Sequence, residues 1–272
     1  MIIMKTYIIE KENRKVAELH ISSFTSESEE TLIENISGSV RDNPEIGYAG
    51  FDKKEDLIGF LKWKIFKDNS KFNNIEINHD KVRSIIESAL FRCLELVKSK
   101  KLYVFVFPTF DEFVKEKLTG VSGYSFWKNT IIIHIFPGGY SDKEIGETLC
   151  HEFAHAVSLN YNEIRTLLDQ IIADGIAEHF REEAVGGGKS PWAASIDRDK
   201  AKNIFNEIKN CLDSEDWNIR NEIFYGSGRY PNWSGYSIGY YIIEDFLSKH
   251  RELSWNDVIK IKSWDILLKS GF

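Results

Sequence analysis

The chain has 272 residues, 42% of them hydrophobic and 28% charged, with only 5 prolines and a net charge of −7. That size suits one large domain or two small lobes sharing a core, and the composition excludes a disordered, collagenous or low-complexity chain. Residues 1–136 balance 20 Lys and Arg against 20 Asp and Glu, while residues 137–272 set 15 against 22; an acidic half without a basic stripe makes a poor nucleic-acid binder, and no nucleic-acid partner is expected.

No apolar run approaches the ~20 residues of a membrane-spanning helix, so no integral membrane segment is expected. Met1–Lys5 is followed at once by charged residues and lacks the apolar core of a secretory signal. Cys93, Cys150 and Cys211 are odd in number, far apart in sequence and without a Cys-x-x-Cys pair. That pattern suits a reducing cytoplasm and argues against a disulfide framework. The oligomeric state is not legible.

The first hundred residues read as mostly helical. Within them, Val82, Ile85, Ile86, Ala89, Leu90, Cys93, Leu94 and Val97 recur at helical spacing, so a helix is expected over 80–98 with Asn78 as its cap. Leu102–Phe107 and Asn129–Phe136 are β-rich runs closed by prolines and read as strands. Between them Phe110–Leu118 reads as a short helix, and Gly120–Gly123 as a turn-rich stretch. Ser141 with Glu144 has the capping-box form, so a helix should start there and run to about Leu159. Helices are expected near 163–183, 201–212 and 237–249, then a short C-terminal piece. Gly186–Gly188 with Pro191 reads as a flexible loop. Strands first and helices after give an α+β chain, a mixed lobe over 1–140 and a helical lobe over 141–272.

The chemistry is concentrated at His151-Glu152-Phe153-Ala154-His155. Residues i and i+4 share a helix face, so both imidazoles can hold one Zn²⁺. Glu152, a quarter-turn round, is placed to hydrogen-bond a metal-bound water. A catalytic zinc needs a third protein ligand. The next helix offers Asp174 and Glu178 at i and i+4, with Gly175 between them where two helix backbones would approach closely.

This pattern, HEFAH, eighteen residues, then Asp-Gly-Ile-Ala-Glu, resembles the gluzincin form of HExxH followed by Glu-Gly-x-Ala. It occurs in gluzincin aminopeptidases and, closer in size and layout, in the YjaZ-type predicted zinc-dependent proteases. The resemblance covers about residues 102–247. It implies a zincin-like fold, one domain over 1–272 with the metal site between its two lobes, and one Zn²⁺ per chain held by His151, His155 and Asp174. This chain has Asp174 where the pattern has Glu, one methylene longer. Glu178 would then orient His151 from behind, or replace Asp174 as ligand, with His179 as a further substitute. A Tyr-x-x-Gly in the corresponding place supplies an oxyanion donor, which implies that role for Tyr236, with Tyr240 and Tyr241 in the core. The resemblance also implies that an extended peptide substrate pairs with an edge strand at 131–136. His134, on that strand, reads as structural.

The function implied is peptide-bond hydrolysis by a metal-activated water, with Glu152 as general base. Two rivals stay open: a metal-binding but catalytically weak interaction or regulatory domain, and a zinc amidase acting on a small molecule.

Overall fold

The structure, a computed structural model, describes residues 3–23, 59, 77–226 and 228–272. The chain divides into two compact units, Met1–Ala156 and Val157–Phe272. Together they are α+β, with a five-stranded sheet in the first unit and a mostly helical second unit.

The first unit opens with β1 (Ile3–Lys11) and β2 (Arg14–Ser23), an antiparallel hairpin where helix was expected. Glu12 and Asn13 both have positive φ, +53° and +61°, which is what a tight two-residue hairpin turn requires. Ala17, Leu19 and Ile21 are fully buried, with period 2. The helical expectation for residues 24–58 and 60–76 lies outside the described residues.

Helix α1 (His79–Leu96) and its Asn78 cap are as expected; the Asn78 side chain accepts the Lys81 N–H at 3.0 Å. β3 (Leu102–Pro108), α2 (Glu112–Lys117), β4 (Val121–Trp127) and β5 (Thr130–Ile135) follow. The sheet order is β1-β2-β3-β5-β4, with β2, β3 and β5 parallel to one another and the outer strands β1 and β4 antiparallel to β2 and β5. Every residue of β3 and β5 is buried, as continuous apolar runs in a strand covered on both faces should be.

Two expectations need correcting here. The stretch beginning Gly120–Gly123 is not simply a turn, since Val121 to Trp127 form a strand. Nor is β5 an edge strand: it is hydrogen-bonded to β3 on one side and β4 on the other. An extended peptide cannot pair along 131–136, because the backbone groups it would need are already taken. Among the described residues β4 lies at that end of the sheet.

Helix α3 (Asp142–Ser158) closes the unit and reaches past its boundary. Ser141 Oγ accepts the Glu144 N–H at 3.2 Å, the expected cap. α1 and α3 lie side by side: Lys81 pairs with Asp142 at 2.7 Å, and the Cys93 and Cys150 sulfurs are 3.3 Å apart as free, buried thiols.

The second unit holds α4 (Leu167–Val185), α5 (Arg198–Ile208), α6 (Trp217–Tyr225), α7 (Ser234–Lys249), α8 (Trp255–Val258) and α9 (Ser263–Ser270). α4 starts in a full capping box, Thr166 with Asp169. Its Gly175 packs against Gly239 of α7: a Cβ at Gly175 would lie 2.3 Å from the Gly239 carbonyl oxygen, and one at Gly239 would lie 2.1 Å from that of Ile171. Only glycine permits such an approach of two helix backbones. Gly175→Ala should therefore destabilise the protein by about 1–3 kcal/mol or more through overpacking, despite the roughly 1 kcal/mol that alanine gains in helix propensity. Urea unfolding checks this; an alanine variant as stable as the parent would show that the helices can part without cost.

Candidate metal centre

α3 carries His151, Glu152 and His155. Its buried face, Ile145, Leu149, Cys150, Phe153 and Ala156, fixes the helix rotation, and the i, i+4 spacing then brings both imidazoles to one side. Their Nε2 atoms are 3.1 Å apart, with ring centroids at 4.8 Å. Two donors bound to one tetrahedral zinc at ~2.0–2.1 Å stand roughly 3.3 Å from each other, so this separation suits a shared ion.

Asp174 of α4 completes the group. One ligand atom each from His151, His155 and Asp174 lie within 4.8 Å of one another. His151 and Asp174 are buried and His155 is half-buried. Two neutral nitrogens and one carboxylate oxygen are a zinc-type donor set, three ligands that leave a coordination position open.

Glu152 is also buried, and its side chain lies against Gly123 of β4. A Cβ at Gly123 would fall 2.4 Å from Glu152 Cγ and 2.8 Å from its Oε1.

Glu178 is fully buried with its own set of donors. Trp192 Nε1–H donates to Oε1 at 2.7 Å; Ser190 Oγ–H and Arg181 Nη2–H donate to Oε2 at 2.7 and 3.2 Å. Arg181 Nη2 also donates to the Gly188 carbonyl at 2.8 Å. The carboxylate thereby ties the glycine-rich loop after α4 back onto that helix. Sequence reasoning did not find Ser190, Trp192 or Arg181 as its partners; the buried charge pair spaced i, i+3 on an apolar helix was the available signal.

His179 is held by Tyr240: its Nε2–H donates to the Tyr240 carbonyl at 3.0 Å, and the two rings stack with centroids 4.1 Å apart. Burial lowers the His179 pKa. The Tyr240 hydroxyl donates to Glu182, and burial with that nearby carboxylate raises its pKa. Tyr236, in the first turn of α7, is half-buried with its ring edge-on to Phe224 at 5.1 Å. His134 is buried among Phe107 and Tyr124, at centroid distances of 5.9 and 5.6 Å.

Among the described residues no helix is long and apolar enough to cross a membrane. The chain is similar to "Uncharacterized protein YjfC" of Bacillus subtilis (strain 168), 22% identical over 236 residues that cover 79% of this chain and 78% of the relative. No solved structure matches significantly. A family model described as "Predicted Zn-dependent protease" matches residues 82–268, the stretch that holds HExxH, Asp174 and the helices after them. The chain belongs to that family, in agreement with the resemblance drawn from its motifs.

Proposed function

We propose that the protein is a zinc-dependent metallopeptidase, with one zinc held by His151, His155 and Asp174. The convergence of these three donors within 4.8 Å carries the reading, and the family description supplies the reaction class. When bound, zinc would supply Lewis acidity, making water a better nucleophile near neutral pH and polarising the scissile carbonyl. Glu152 takes the proton of the attacking water and returns it to the departing amine. Its burial favours that exchange by keeping bulk water away from the carboxylate. Glu178 braces α4 from the next helical turn. For an extended substrate we assign β4 in place of β5, because β4 terminates the described sheet and its Gly123 touches Glu152. The free, adjacent thiols of Cys93 and Cys150 fit a reducing cytoplasm.

Tyr236 is the proposed oxyanion donor. Tyr236→Phe should leave zinc content and melting temperature nearly unchanged and lower kcat by ~10²–10³ with little change in KM. Undiminished kcat in that variant would leave Tyr236 a packing residue against Phe224.

A non-metal reading has one specific support: imidazoles 3.1 Å apart can hydrogen-bond to each other. A peptide-library digest separates the two. Cleavage should vanish with a chelator and return with added zinc. Cleavage unaffected by chelation, or none by zinc-loaded protein, would contradict the proposal.

A further inference from the structure

We propose that Gly123 and Ser125 of β4 are positioning residues that set the Glu152 carboxylate, an inference that rests on Glu152 being the general base. Glycine weakens a strand interior and usually marks a close approach. The φ of Gly123 is not left-handed, so its backbone would accept any residue. What requires glycine is space. An added Cβ would meet Glu152 Cγ at 2.4 Å, Thr148 Cγ2 at 2.7 Å and Glu152 Oε1 at 2.8 Å. The Glu152 side chain fills the volume that a side chain at 123 would need.

The same hairpin grips α3 at two further points. Ser125 Oγ–H donates to the Glu152 carbonyl at 2.9 Å, and the Asn129 N–H donates to the Ala156 carbonyl at 3.0 Å. Ala156 lies in the last turn of α3, whose carbonyls lack partners within the helix. Between Tyr124 and Trp127 the pairing with β5 shifts register, and such irregularities re-aim side chains beside functional sites. β4 therefore presents a smooth seat for the carboxylate and a hydroxyl that fixes the backbone beneath it. A misplacement of about 1 Å in a reacting group can cost roughly 10²-fold in rate.

The test uses the zinc-loaded full chain. Gly123→Ala should retain its zinc, lose ~10²-fold in kcat and change KM by less than about threefold. It should also lower the urea midpoint. In a Thr148→Ser, Glu152→Ala background, which deletes the three crowding atoms, the same substitution should lower the midpoint far less. Equal losses in both backgrounds would make Gly123 an ordinary structural glycine and overturn the proposal, as would an unchanged kcat. If Gly123→Ala does not fold, Ser125→Ala decides: a fall in kcat at full zinc content supports the proposal, and unchanged kcat overturns it. The stability coupling needs no turnover, so a wild-type protein that cleaves no peptide would count against the peptidase reading alone.

Discussion

Glu152→Gln protein should keep its full complement of zinc and lose peptide hydrolysis by ~10²–10⁴-fold. The amide has nearly the volume of the carboxylate, so it fits the seat against Gly123, where Glu152 Cγ and Oε1 already occupy the space of a side chain. It cannot take up a proton near neutral pH, so the base is lost together with the carboxylate's charge while the volume is kept. His151 and His155 are untouched by that change and keep the Nε2 separation of 3.1 Å that suits a shared ion. Elemental analysis beside kcat/KM on any peptide the wild type cleaves checks both halves. Near-normal turnover would transfer the base to another residue.

The second large effect separates two carboxylates on one face of α4. Glu178→Ala should destabilise the protein by up to about 3–5 kcal/mol, because it breaks a buried ion pair and leaves Arg181 to the longer pairing with Glu182 at 3.7 Å. Arg181 is 2% exposed and Glu178 fully buried, so water cannot replace the lost charge. Ser190 and Trp192 would lose their acceptor as well, and the loop beyond α4 would loosen first. Asp174→Ala should do the opposite: it should strip the metal and leave the metal-free fold almost as stable as before. In a competition titration against a chelator, Asp174→Ala should rank below Glu178→Ala in zinc affinity. The reverse ranking would move the third ligand one helical turn along.

The helices that carry this site were legible because their signals are local. α1, α3 and α4 have apolar residues at helical spacing, and α1 and α3 announce their starts through Asn78 and Ser141. The HExxH spacing needs only helix geometry, Asp174 as the third donor is what the family resemblance implies, and one ligand atom from each of the three lies within 4.8 Å of the others. The N-terminal hairpin was missed although Ala17, Leu19 and Ile21 alternate; its turn, Glu12-Asn13, has no glycine to advertise it. The start of β4 reads as a turn because Ser122 and Gly123 are turn residues by composition. Their reasons lie elsewhere, in a helix that arrives much later in the chain. The family resemblance puts β5 at an edge, while its unbroken apolar run has the pattern of an interior strand. The partners of Glu178 were out of reach for a similar reason, since Ser190 and Trp192 return to it only after a glycine-rich loop.

The zinc content of the purified full chain, measured for wild type and His155→Ala side by side, tests the metal centre most directly. About one zinc per wild-type chain and essentially none in His155→Ala is the result expected of three converging ligands with one position left open. Full zinc in the His155→Ala protein, or a wild type that cleaves peptides while free of metal, would contradict it.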